Sequence, residues 1–217
     1  PRCTGGLQGG MTVAVLHVWA STVIVLDARL AHAIHHICHQ DTLGFLMVAV
    51  TDLGNGFVLL GTALALYIAG DDDTKRYARL AATAFIVLGL VVQSCKHMVG
   101  RERPLGGSFD SFPSGHTSEA FCMSWVWGAR WPRLRTALLF VAALVGLSRV
   151  YLMAHYPLDV MAGAALGLAG GAIALSAARR AGCNREGARA TNRRRHLGAG
   201  ASATRPVQCP LRKAIRR

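Results

Sequence analysis

Acid is scarce in this chain. Eleven Asp and Glu stand against 24 Lys and Arg in 217 residues, and charged residues make up only 16% while hydrophobic ones reach 52%. With a mean hydropathy of +0.34, this balance is too apolar for an ordinary soluble domain and normal for a polytopic membrane protein. A CxxC pair is also missing. The six cysteines (Cys3, Cys38, Cys95, Cys122, Cys183 and Cys209) follow no regular spacing, which argues against a disulfide framework. Cys122 lies inside an apolar run and Cys95 ends one, so both read as small buried residues. The net charge of +13 resembles a nucleic-acid signal, but residues 179–217 hold 12 Lys and Arg with one acid, Glu186. That segment carries +11 and residues 1–178 only +2. Basicity belongs to the tail, and no nucleic-acid partner is expected.

Apolar runs fall near 11–26, 43–70, 78–95, 117–131, 136–150 and 157–178. A spanning helix needs roughly 20 residues, so each run, completed by its flanks, reads as one transmembrane helix. The expectation is an all-α polytopic bundle of six helices over 11–178. Residues 1–10 precede it as an N-terminal extension, and 179–217 follow as a basic, disordered cytoplasmic tail. The second run is interrupted by Asp52, Gly54 and Asn55, and its span is expected to start near Leu53. Only Arg2 precedes the first run, a thin n-region for a signal sequence, so a retained helix is favoured.

Basic residues orient the bundle. Lys75, Arg76 and Arg79 in one loop, Arg130, Arg133 and Arg135 in another, and the Arg-rich tail mark the cytoplasmic side. Anionic lipid would attract such a tail at about 1 kcal/mol per basic residue near the surface. The stretch AHAIHHICHQD places His32, His35, His36 and His39 on one helical face. Histidines at that spacing can share a metal, but the favoured reading is an amphipathic helix at the outer interface with the histidines as its wet face.

Three outer segments hold nearly all the remaining polar residues: KHMVGRERP (96–104), SFPSGHTSE (111–119) and SRVYLMAHYPLD (148–159). The topology puts all three on one side of the membrane. Lys96, Arg103 and Arg149 form a cation cluster, and arginine's planar fork suits phosphate oxygens. Ser114, Gly115 and His116 open a helix whose unpaired N–H groups favour an anion. Gly115 permits close backbone approach, and Ser114 can cap the helix or donate to the anion. Asp159, four residues after His155 and just beyond Pro157, can accept a hydrogen bond from one ring nitrogen and leave the other as a nucleophilic lone pair. His116 can then protonate the leaving oxygen. Glu119 and Asp52 read as local hydrogen-bonding residues, and Tyr151 and Tyr156 as an aromatic interface belt.

Three patterns occur in order: K-x6-R-P at Lys96, Arg103 and Pro104; P-S-G-H at Pro113 to His116; and S-R-x5-H-x3-D at Ser148, Arg149, His155 and Asp159. This resembles the type 2 phosphatidic-acid phosphatase superfamily of membrane lipid phosphatases, whose pocket is shared with vanadium haloperoxidases and bacterial acid phosphatases. The resemblance covers roughly residues 11–178. It implies a metal-independent phosphatase without a cofactor. His155 would be the nucleophile, Asp159 its orienter and His116 the general acid and then base. Lys96, Arg103 and Arg149 would bind phosphoryl oxygens, helped by Ser114 and Gly115. The link LGGSFDSF between the first two motifs is shorter than usual in the family and leaves little material for a specificity lid.

The reading adopted at this level is a lipid phosphatase of a bacterial inner membrane with its site facing the periplasm or exterior. Undecaprenyl diphosphate comes first among substrates, ahead of phosphatidate and phosphatidylglycerophosphate. Alternatives are a lipid A phosphatase of the same family, a vanadium haloperoxidase-like enzyme and a non-catalytic lipid-binding membrane protein. The haloperoxidase relatives are soluble, and a pure binder has no use for an oriented histidine.

Overall fold

The computed structural model describes residues 21–36 and 41–197, and among these it is helical with no strand. The elements are α1 (residues 21–36), α2 (Asp41–Asp52), α3 (Gly56–Ala69), α4 (Asp72–Val99), α5 (Gly115–Arg130), a 3-10 turn (Pro132–Leu134), α6 (Arg135–Tyr151) and α7 (Pro157–Leu197). The chain is a multi-pass membrane protein with an all-α fold.

Local chemistry sets the helix ends. Asp71 caps α4 by accepting Thr74 N–H at 3.0 Å, and Asp72 and Asp73 occupy the positive first turn. Lys96 and His97 sit in the negative last turn, and Gly100, with φ of 56°, closes the helix in the left-handed conformation. Asn55 caps α3 through Phe57 N–H at 3.0 Å. At Gly54 a Cβ would lie 2.4 Å from Val145 Cγ1 on α6, so the chain must turn there without a side chain. That turn divides the long second run into α2 and α3, bent by 51°.

Among the described residues three helical stretches are long and apolar enough to cross a membrane: Asp72–Val99, Pro132–Tyr151 and Pro157–Gly182. The bent α2–α3 pair makes a fourth if taken as one span. Six spans were expected, and the difference has identifiable causes. The first expected span, 11–26, lies largely outside the described residues. The fifth helix, α5, has only 16 residues and is the centre of the bundle, in contact with α3, α4, α6 and α7. Its buried residues include Cys122, Met123, Val126 and Trp127, and also Thr117 and Ser118. Outward positions elsewhere are large and apolar, such as Leu64, Ile68, Ile86, Leu90, Phe140 and Ile173. Polar centre and apolar rim suit a fold whose solvent is hydrocarbon. The free thiols of Cys95 and Cys122 are half-buried and buried, in keeping with their reading from sequence.

The α5–α7 contact is a seam of small residues. Gly163, Gly167 and Gly171 recur every fourth residue on α7, and Cβ atoms there would meet Ser114 O at 2.7 Å, Ser118 O at 2.3 Å and Trp125 Cβ at 2.9 Å. Backbone rests on backbone, as small-residue spacing permits between membrane helices. Helix α7 also runs unbroken past residue 178, where the tail was expected to begin, to Leu197. Its Ala- and Arg-rich sequence there favours helix.

Replacing Gly167 with Ala puts a methyl into the Ser118 carbonyl and should cost about 1–3 kcal/mol. Gly61→Ala, with nothing within 4 Å, should melt at or above the parent. Thermal unfolding in detergent compares the two.

Candidate active site

The three polar segments meet at one end of the bundle. The opposite end is marked by Arg130 of α5, which reaches Asp71 at the start of α4 at 3.0 Å. Ser114 N–H donates to Asp159 O at 3.1 Å, joining the second motif to the third. His116 lies within electrostatic reach of Arg149, Lys96, Arg103 and Asp52. His155 lies within reach of Arg149, Arg103 and Lys96. The first two cations converge on Asp110 of the α4–α5 link. Arg103 grips it with Nε and Nη2, each at 2.8 Å, and Lys96 Nζ stands 3.4 Å away. The arginine's hydrogen bonds hold the Asp110 carboxyl well below the usual carboxylate range, with Lys96 adding to the effect. On the same link Leu105 and Phe109 are 76% and 66% exposed.

Arg149 comes from the last turn of α6. Its Nη1 donates to Thr51 Oγ1 on α2 at 3.1 Å. Its Nε is buried and has no hydrogen-bond partner among the described residues. A buried, unmatched guanidinium N–H is costly and gives the site unused capacity for an anionic acceptor.

His155 is 1% exposed on the short α6–α7 connection. The preceding Met153 holds φ of 54°, a left-handed conformation that costs a non-glycine residue roughly 1–2 kcal/mol. Burial first, then the Arg149 and Arg103 charges, push the imidazole down from its ordinary 6.5 to about 3. The ring is therefore neutral at physiological pH. Its Nδ1–H donates to the Ser111 carbonyl at 2.6 Å. A carbonyl can only accept, which fixes the tautomer and leaves Nε2 with its lone pair.

This corrects the expected orienter. Asp159 Oδ2 stands 3.9 Å from His155 Nδ1, beyond hydrogen-bond range. Its carboxylate is committed elsewhere: Oδ1 to Arg101 Nη1 at 2.6 Å, and Oδ2 to Ser111 Oγ at 2.5 Å and Tyr156 N–H at 3.0 Å. Asp159 thus reaches His155 at one remove, by holding the residue whose carbonyl holds the ring. Ser114 also departs from expectation. It makes no side-chain cap, it is fully buried, and its Oγ pairs with Thr117 Oγ1 at 2.9 Å. Gly115, by contrast, opens α5, where first-turn N–H groups lack helical acceptors.

Asp110, Ser111, Thr51, Arg101 and Asp27 were missed as site residues. Asp27 carries a signal in the sequence, an acid inside an apolar run. Ser111 acts through its backbone, which no residue type announces. The histidine-rich stretch also differs. Helix α1 includes His32, His35 and His36, but only His32 and His36 are exposed. His35 is half-buried, with Nδ1 2.9 Å from Tyr151 O, and Asp27 and Ala31 are the buried residues of α1. His39 lies outside the described residues. Among those described, no group of three His, Cys, Asp or Glu is placed to hold a metal ion.

A bundle of apolar helices with cations, an uncharged histidine and a helix N-terminus at one end is suited to hold an anionic group at the membrane edge. Residues 91–183 match the family model of the PAP2 superfamily. Three lipid A 1-phosphatases are similar to the chain. That of Porphyromonas gingivalis is 36% identical over 91 residues, 40% of this chain and 20% of that protein. Those of Rhizobium johnstonii and Rhizobium etli are 30% and 34% identical, over 54% and 39% of this chain and 61% and 43% of the relatives. The chain thus spans between a fifth and about three fifths of the curated relatives it matches. Among solved structures, Aquifex aeolicus LpxE superposes with a TM-score of 0.62 at 26% identity, covering 70% of this chain and 95% of that one. The first transmembrane PAP2 type phosphatidylglycerolphosphate phosphatase from Bacillus subtilis gives 0.64 at 24% identity, over 79% and 95%, and shows the shared fold.

The neutral His155 has a consequence for stability. Below pH 6.5 the unfolded chain takes up a proton that the folded site resists, so stability present above that pH is lost as pH falls toward about 3. His155→Asn should flatten this decline, read as the slope of unfolding free energy between pH 7 and 4.

Proposed function

We propose that this chain is a membrane lipid phosphatase that removes the 1-phosphate of a lipid A-type glycolipid through a phosphohistidine intermediate. The observation that carries the reading is the gathering of Lys96, Arg103 and Arg149 within reach of both His116 and a buried, neutral His155 with a fixed tautomer. The substrate class follows the lipid A 1-phosphatases among the relatives. That replaces undecaprenyl diphosphate, for which no comparison speaks, as the first choice.

In this mechanism the phosphate oxygens lie against Lys96, Arg103, Arg149 Nε and the first N–H groups of α5. His155 Nε2 attacks phosphorus, forming the N–P bond as the P–O bond to the sugar breaks. His116 donates a proton to the departing oxygen. Water then attacks the phosphohistidine. His116 takes its proton, the N–P bond breaks, phosphate leaves and His155 returns neutral. Transfer of this kind needs mainly positioning and compensation of charge. The catalytic residues proposed are His155 and His116. Asp159 acts on His155 through Ser111, and the buried Ser114 hydroxyl steadies the start of α5. The site faces the periplasm or exterior of a bacterial inner membrane, and the basic end of α7 lies on the cytoplasmic side, where anionic lipid would attract it.

Detergent-purified protein in EDTA should release phosphate from lipid A faster than from undecaprenyl diphosphate, phosphatidylglycerophosphate or phosphatidate. His155→Ala should lower that release at least about 10³-fold, the order expected for loss of a nucleophile. Faster release from one of the other lipids overturns the substrate assignment. Release that persists in the variant overturns the histidine mechanism.

Asp110 supplies a second test. Its carboxylate occupies the Arg103 fork that a phosphate needs. Asp110→Asn removes that competing charge, and orthophosphate should then inhibit several-fold more tightly. Unchanged or weaker inhibition would show that Asp110 aligns the two cations instead of competing for them.

A further inference from the structure

The catalytic reading does not use Arg101, five residues after Lys96 and two before Arg103. Its surroundings are more specific than those of either neighbour. Nη2 bonds Asp27 Oδ2 on α1 at 2.6 Å, and Nη1 bonds Asp159 Oδ1 on α7 at 2.6 Å. The guanidinium carbon lies 4.1 Å from the centre of the Tyr156 ring. Its backbone carbonyl accepts Ser111 N–H at 2.9 Å. The side chain is only 20% exposed, and its two carboxylate partners are 2% and 0% exposed. Both forks being committed, Arg101 has little left to offer a phosphate.

Asp27 reinforces the arrangement. Its second oxygen accepts Leu158 N–H at 3.0 Å, in the first turn of α7 beside Asp159. Asp27 therefore holds the start of α7 twice, directly by Leu158 and through Arg101 by Asp159. Asp159 in turn holds Ser111 Oγ at 2.5 Å, and the Ser111 carbonyl holds His155 Nδ1 at 2.6 Å. A continuous hydrogen-bonded path runs from α1 to the ring of the proposed nucleophile.

We infer that Arg101, clamped by Asp27, is a positioning residue that fixes His155 by keeping Asp159 on Ser111 and off the imidazole. The inference rests on the phosphatase reading for its kinetic consequences and stands apart from it in its structural ones. A lysine at 101 keeps the charge but is a single point donor and does not present a planar fork to two carboxylates. Loss of Arg101 leaves the Asp159 charge without its cation, 3.9 Å from Nδ1. The carboxylate is then free to turn to the ring, and the ordered Nδ1–H to carbonyl bond is lost.

The test uses the full chain with Arg101→Ala, Arg101→Lys, Asp27→Asn and Asp27→Asn combined with each Arg101 variant. Phosphate release from lipid A should show kcat reduced about 100-fold in Arg101→Ala and about 10-fold in Asp27→Asn, with KM within about threefold because Lys96, Arg103 and Arg149 remain. The double variants should be no worse than the Arg101 singles, as expected for two residues acting through one contact. Where Arg101→Ala fails to fold, the cycle is run on Arg101→Lys. The acidic limb of kcat/KM should move to higher pH in Arg101→Ala. His155 is then faced by the unpaired Asp159 as well as by Arg149, Arg103 and Lys96, and a carboxylate favours its charged form. A fold-only role would leave the limb in place. Nitrogen-15 spectra of the ring test the same point without turnover: Nδ1–H alone in the parent, and a mixed or protonated ring in Arg101→Ala. Unchanged kcat in both single variants, a loss carried by KM, additive double variants or an unchanged ring spectrum overturns the inference. A parent without histidine-dependent phosphate release, but with the spectral change, overturns the phosphatase reading and leaves the positioning role intact.

Discussion

Backbone-to-backbone approach of α5 and α7 is the constraint on which the rest of the site depends. Gly163, Gly167 and Gly171 let α7 lie against the carbonyls of Ser114 and Ser118 with no side chain between them. The closeness allows Ser114 N–H to reach the Asp159 carbonyl. Two motifs some forty residues apart in sequence therefore share one local frame. The hydroxyls along α5 can be buried because each finds a nearby acceptor, as when Ser118 Oγ bonds Ser114 O at 2.8 Å. A polar helix with satisfied hydroxyls can then stand at the middle of an otherwise apolar bundle.

Charge at the site is arranged by commitment. Each carboxylate near His155 is engaged by a particular cation or N–H, so none forms a short contact with the imidazole. The ring sees a neutral carbonyl on one side and distant positive charge on the other, and both conditions keep it unprotonated. The usual picture of a carboxylate touching a histidine would pull its titration upward. Here the carboxylate influence arrives as geometry and not as charge, which suits the nucleophilic role proposed for His155.

Much of this was legible in the residues. The interruption read at Asp52, Gly54 and Asn55 is where the chain breaks between α2 and α3. The topology expected from loop charges brought the three polar segments to one end. What was not legible has a common cause: it depends on partners far apart in sequence or on main-chain atoms. Asp27 and Arg101 are separated by 74 residues, and nothing in either neighbourhood names the other. The Ser111 carbonyl carries no residue-type signal. Hydropathy marked α5 as apolar but not as the centre of the bundle, because burial by protein or by lipid is decided by neighbours. Composition likewise suggested that order ends near residue 178, yet the same alanines and arginines continue α7 to Leu197.

The short link between α4 and α5 has one more implication. It turns Leu105 and Phe109 outward beside the polar residues that meet Asp110. Large apolar side chains on a membrane-edge loop are at home among acyl chains and headgroups. The mouth of the site then has a greasy lip, which the proposed lipid substrate could cross without leaving its leaflet. For the phosphatase proposed here, concentration is a surface density. Its rate should follow the mole fraction of substrate in the surrounding film, and an inert detergent added at constant substrate should act as a diluent and not as an inhibitor.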